Sequence, residues 1–347
     1  MIANLSKKLR PFALPLATCL GVAAAMLLII WAVLARNYGV DSLKKELGKI
    51  IESLNVSGYD IAYDQIEFST VSPFKIMEVK NFKLYKIADT RWELTIPEVR
   101  LNADILNYKK LDLDISQHAS LNIGREEYPV SFEGAVISLT FDDDGLYNLA
   151  GEIRDLLVNH IAKIETVKFA SQRAQAKVLT GSRPFLENYL ELANIDLLTN
   201  NTWNMSPRID EFYINANIIG KITGAKTYQQ ALREWKDNDG SIEVKKLILN
   251  WKPLVMVSRG NIYLDEQFNP SLKLITTSKA LIETMDNLEK AEILEKKGVF
   301  VSKIVLSNKA QKISEDEDFY TIITPLTLSS DEMTIEGIPV WNTSQPL

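Results

Sequence analysis

The run FDDDGLYN sets Asp142, Asp143 and Asp144 side by side before Gly145. Carboxylates this dense could hold calcium. A calcium loop, however, wants oxygen ligands at alternate positions and a glutamate at the twelfth. With Gly145 as sixth, Thr140 stands first and Gly151 twelfth, so the pattern fails. The run reads instead as an Asp-Gly hairpin turn. DNDG at 237–240 fails likewise, because Trp235 would take the first ligand position.

Other chemistry-bearing residues are few. The chain has two histidines, His118 and His160, and one cysteine, Cys19. A zinc site of the usual kind needs more, and no disulfide within the chain is possible. His118 sits where a strand ends in SQHASLN, and His160 belongs to a separate element. Neither is accompanied by a Ser or Cys motif, and a nucleophile needs an adjacent base held by a third group. There is no G-x-S-x-G, no P-loop and no Rossmann glycine pattern. Asp112 and Asp114 share one strand face, which reads as solvated. Trp92, Trp203, Trp235, Trp251 and Trp341 are scattered, as core or rim packing would have them. The expectation is a protein that is not an enzyme, with no catalytic, cofactor-binding or metal residue and no cofactor.

The elements that would position any site begin with an apolar run. From Pro11 to Ala35 no residue is charged. As a helix this is roughly 37 Å, against a hydrocarbon core of about 30 Å. Val33-Leu34-Ala35 resembles a signal cleavage site, but the length favours a retained transmembrane helix. Trp31 suits an interfacial aromatic. Lys7, Lys8 and Arg10 precede the run and Arg36 alone follows it. The positive-inside rule then makes residues 1–10 a cytoplasmic tail and puts residues 37–347 outside, the periplasm of a Gram-negative cell.

Charge separates the ends from the body. The net charge is −6, yet residues 1–36 carry four bases and no acid, so the remainder is more acidic still. An acidic body argues against nucleic acid as a partner, since such binding relies on basic patches. It argues equally against electrostatic docking on anionic lipid heads.

Residues 36–57 contain DSLKKELGKIIESL, whose Leu43, Leu47, Ile50, Ile51 and Leu54 recur at three and four. This predicts a juxtamembrane amphipathic helix. From Gly58 the period changes to two, as in KKLDLDIS and AVISLTFDDDG. Strands with one wet and one dry face, joined by short turns, predict an antiparallel meander. LAGEIRDLLVNHIAKI reads as a helix on the stripe Leu149, Ile153, Leu156, Leu157 and Ile161. TYQQALREWKD reads as another. SKALIETMDNLEKAEILEKKGVFVSKIVLSNKAQ holds one or two more, with Ser278 as cap of the first and Leu281, Met285 and Leu288 inward. The second is weakened by β-branched Val299, Val301, Ile304 and Val305. SEDEDFYT is an acidic loop, and YTIITPLTLSSDEMTIEGIPV closes the chain as a hairpin. Residues 58–347 thus form a β-rich domain, with halves at about 58–180 and 181–347.

Two stretches echo one another. IEFSTVSPFKIMEVKNFKL has Pro73 nine residues before Phe82, and LILNWKPLVMVSRGNIYL has Pro253 nine before Ile262. These stretches, with GYDIAYDQ, WELTIPEVRLNADILNYKKLDLDIS and DEQFNPSLKLIT beside them, resemble the bacterial domain-of-unknown-function family 2125. The likeness spans most of residues 50–340. It departs where the family often has Gly before PF and this chain has TVSPF. Gly260, Ile262, Leu264 and Asp265 also resemble strands of AsmA-like envelope proteins. The resemblance implies an α+β protein: one N-terminal transmembrane helix, then a long, curved antiparallel sheet with several packed helices. It further implies a single-pass inner-membrane protein with a role in lipid handling or envelope homeostasis. Its partners would be the inner-membrane lipid bilayer and a lipid or envelope protein. A structural or interaction module that recruits a protein partner is the alternative expectation.

Overall fold

The computed structural model describes residues 59–71, 74–86, 92–104, 110–123, 126–142, 145–159, 161–174, 184–198, 204–220, 228–265, 270–309, 321–329 and 332–342. The expected tail at 1–10, transmembrane helix at 11–35, juxtamembrane helix at 36–57 and most of the acidic SEDEDFYT loop lie outside them. Among the described residues no helix is long and apolar enough to cross a membrane. Two compact units are present, one holding residues 59–173 and the other residues 184–220 and 232–342.

The first unit is an antiparallel meander of ten strands. They are β1 (Tyr59–Ala62), β2 (Gln65–Val71), β3 (Phe74–Lys86), β4 (Trp92–Asp104), β5 (Lys110–Ile115), β6 (His118–Ile123), β7 (Glu126–Ser131), β8 (Gly134–Asp142), β9 (Gly145–Val158) and β10 (Ala162–Arg173). β1 and β2 both pair with β3, and β5 and β6 both pair with β4. β7 and β8 both pair with β9. Each of these short pairs is therefore one long strand broken by an interruption.

The interruptions line up across the sheet. Asp64 N–H donates to the Lys80 carbonyl, Ser116 N–H to Glu98, and Glu133 N–H to Arg154. Opposite these breaks the unbroken strands carry left-handed residues, Asn81 at φ 50 and Asp155 at φ 51. The Asn81 amide donates to the Asp64 carboxylate, tying one break to its neighbour. A left-handed residue of this kind bends the strand and shifts its side-chain phase by one. Buried residues accordingly sit three apart across the seam: Val79 and Phe82, Ile96 and Val99, Ile153 and Leu156, Ile164 and Val167. Because every strand shifts together, the apolar set stays on one face throughout.

This seam corrects the helix expected over LAGEIRDLLVNHIAKI. Those residues are β9 and the start of β10, paired from Ala162–Val158 to Gln172–Asn148. The left-handed residue Asp155 produces the spacing of Leu149, Ile153 and Leu156 that imitates a helical stripe. Leu157, counted in that stripe, is not among the buried residues.

The second unit is a further antiparallel meander. Its strands are β11 (Pro184–Leu197), β12 (Arg208–Ile219), β13 (Ser241–Trp251), β14 (Leu254–Leu264), β15 (Pro270–Lys279), β16 (Thr321–Leu328), β17 (Glu332–Ile335) and β18 (Ile338–Asn342). Each pairs with the next. The expected closing hairpin is thus three strands, β16 to β18, because Ile335–Ile338 closes a second turn. The two echoing proline stretches each become a hairpin with a two-residue connection, closed by Val71–Phe74 and by Trp251–Leu254.

Helix α1 (Tyr228–Asp237) precedes β13, as expected from TYQQALREWKD. Between β15 and β16 come α2 (Leu281–Lys290) and α3 (Lys296–Lys309). The helices pack on each other, α2 against β14 and α3 against β16 and β18. Ser278 is not the cap of α2. It belongs to β15, and its hydroxyl donates to the Ile322 carbonyl, while left-handed Ala280 begins the helix. α3 forms despite its β-branched residues, because Val299, Ser302 and Leu306 recur at three and four and are fully buried. The strand face below the helices carries small hydroxyls: Ser258 bonds Thr276, and Thr324 donates to Glu336.

Candidate functional site

The residues singled out for chemistry do not converge. Asp142 and Gly145 are paired partners at the closed end of the β8–β9 hairpin. Asp143 and Asp144 lie outside the described residues, as does His160. DNDG is the C-terminal cap of α1: Asp239 is left-handed, and Gly240 N–H donates to the Trp235 carbonyl. A Cβ on Gly240 would lie 2.3 Å from that carbonyl oxygen, so glycine is required there. His118 is exposed at the start of β6. Asp112 accepts from Ser138 and pairs with Lys110, and Asp114 accepts from Asn102. Among the described residues no group of three or more His, Cys, Asp or Glu side chains could hold a metal ion.

Trp235 and Trp251 are buried, and each indole donates to a backbone carbonyl, of Ile219 and Ser206. A buried indole needs such a partner, so both serve packing. Trp203 lies outside the described residues, as do the side chains of Trp92 and Trp341.

Tyr85 is displaced from the ordinary range of a phenol. Tyr85 stands directly opposite Asp60 on β1 and β3, and its hydroxyl donates to the Asp60 carboxylate at 2.6 Å. That hydrogen bond, with burial and the negative charge nearby, raises the phenol's pKa. The folded state therefore holds this proton more tightly than the unfolded chain, whose tyrosines titrate near 10. The stabilisation is complete below about pH 10 and fades as pH rises through the folded value. Tyr85→Phe is expected to cost about 1 kcal/mol at neutral pH and to remove a phenol that titrates above the ordinary range. Chemical denaturation and a phenolate absorbance titration check the two halves of this.

The surfaces are more informative than the polar clusters. Unit one offers a buried apolar face, from Phe82 and Leu84 on β3 to Ile164 and Val167 on β10, in which Ile137 and Leu139 are 0% exposed. Unit two leaves apolar side chains in water at Tyr189 and Leu198, on α3 and on β14 to β16. On α3, Phe300 is 67% exposed, with Val301 and Ile304 beside it. On β14 to β16, Val257, Tyr263, Ile275 and Ile323 are exposed. Period-two reading finds strands with dry faces, but it does not say which wet face keeps apolar residues. The exposed α3 ridge was legible only as the β-branched excess that weakened its helix assignment.

The described residues thus define a β-rich α+β protein built of antiparallel sheet, with a helical pair in its second unit. A family model described as an uncharacterized protein conserved in bacteria (DUF2125) matches residues 37–342. The chain belongs to that family, as its strand stretches implied. No curated protein and no solved structure matches it.

Proposed function

We propose that this is a non-enzymatic protein of the bacterial inner membrane, anchored by residues 11–35 with its body in the periplasm, that handles lipid in envelope homeostasis. The observation that supports this reading is the continuous apolar face of the first unit. Burial contributes about 25 cal/mol per Å², so an acyl chain that takes the place of the present cover is held by its own apolar area withdrawn from water. The face is closed to water at Ile137 and Leu139, and lipid therefore enters by displacing what covers it. The expected result is a defined lipid co-purifying with the full-length chain, read by extraction and mass spectrometry. A lipid content no different from that of an unrelated single-pass protein overturns the reading.

An envelope module that recruits a protein partner is the second reading. The exposed apolar side chains of the second unit favour it. Crosslinking in intact envelopes separates the two, since this version requires one stoichiometric protein adduct.

A further inference from the structure

Three adjacent strands of the second unit contain no acidic residue at all. β14 reads LVMVSRGNIYL, β15 reads PSLKLITTSK and β16 reads TIITPLTL. The chain as a whole has 45 acidic residues against 39 basic ones. The acidic balance of the body argues against docking on anionic lipid, but these strands reverse that balance locally.

Register shows what their outward face presents. Val257 stands opposite Thr277, and Thr277 opposite Ile323. In the next row Arg259 stands opposite Ile275, and Ile275 opposite Pro325. Lys273 follows one position further along β15's outward face, and Tyr263 stands at its end. Directly opposed residues share a face, so these side chains form one patch. Within it Val257 is 42% exposed, Ile275 52% and Ile323 61%. Arg259 and Lys273 are exposed and form no ion pair among the described residues. The other face of these strands carries Ser258, Thr276 and Thr324, which are buried.

We infer that the outward face of β14 to β16 docks on the anionic surface of a lipid bilayer. The inference rests on the membrane-anchored reading above and deepens it by naming the contact surface and the lipid charge. Val257, Ile275 and Ile323 enter the interface, Tyr263 lies at headgroup depth, and Arg259 and Lys273 meet lipid phosphates. A second copy of the chain is the poorer occupant, because apposing two such faces brings basic side chains together with no acid to answer them. The α3 ridge is the poorer lipid surface, because Glu292 and Glu295 stand just before its lysines.

The test uses the full-length chain with Cys19→Ser, carrying Ile275→Cys or Ile323→Cys labelled with a polarity-sensitive fluorophore. Each is reconstituted into vesicles of phosphatidylcholine alone, or of phosphatidylcholine mixed with phosphatidylglycerol. Lipids brominated on the acyl chain serve as quenchers, and Val136→Cys in the first unit is the control label. The expected result is a blue shift and quenching at 275 and 323 in the mixed vesicles, with none at 136. Arg259→Gln with Lys273→Gln should lower the docked-to-undocked ratio about thirtyfold. Absence of quenching at 275 and 323 overturns the inference, and so does equal quenching in both vesicle types. A blue shift that needs an added envelope protein rather than lipid also overturns it. A chain that stays in carbonate-washed vesicles without quenching defeats this inference alone. A chain that washes out defeats the anchored reading itself.

Discussion

Leu139→Asp is expected to leave the first unit unfolded, whereas Val136→Asp, three residues earlier on β8, is expected to leave it intact. The two positions lie on opposite faces of one strand: Leu139 is 0% exposed and Val136 60%. Leu139 faces Leu111 on β5 and Leu149 on β9, both buried. Losing its burial costs about 1.5–3 kcal/mol, and an unpaired carboxylate among those leucines adds several more. Together these approach the whole stability of a typical domain, about 5–15 kcal/mol. At Val136 a carboxylate stays in water, and the change should be within about 0.5 kcal/mol. Circular dichroism with urea melts reads both. Equal damage at the two positions would remove the face assignment on which the lipid-handling proposal stands.

Gly298→Ala should destabilise the second unit although alanine is the better helix former. Propensity favours the substitution by about 1 kcal/mol. Against it, a Cβ at 298 would lie 2.1 Å from the Pro339 carbonyl oxygen and 3.0 Å from the Val340 Cα. Both are backbone atoms of β18, which is held in register by β17. A flexible side chain could swing aside, but a paired strand cannot. Overpacking of this kind costs about 1–3 kcal/mol, so the clash wins. The helix α3 must then lift from β18, and Val299 and Leu306, both fully buried, lose contact with the sheet. Thermal melts and hydrogen exchange across 296–309 would show it. A more stable Gly298→Ala variant would mean that α3 does not sit on β18 as described.

Glycine at 298 also shows what a linear reading misses. In KKGVFVSK it looks like a helix breaker at the edge of a β-branched run, and its use is visible only from β18, some forty residues on. The kinked strands are a similar case. Period two was legible in β5, where Leu111 and Leu113 alternate with Asp112 and Asp114. It was illegible in β9, where left-handed Asp155 turns a spacing of two into three. A spacing of three belongs to helices as well, and nothing local separates the cases. The paired strand does, because β10 takes the same step of three in line, from Ile164 to Val167.

Which surfaces matter was decided by register, since Ile275 and Arg259 meet only when β14 and β15 pair as they do.

The residue order by itself determined the apolar run at 11–35, the family membership and the antiparallel strand habit, because these depend on composition and near-neighbour alternation. Only the tertiary structure decided that β9 is a strand and that α3 rests on β18 through a glycine. It alone assembled the acid-free outward face of β14 to β16. Each of these depends on the position of residues far along the chain, and short-range periodicity carries no information about them.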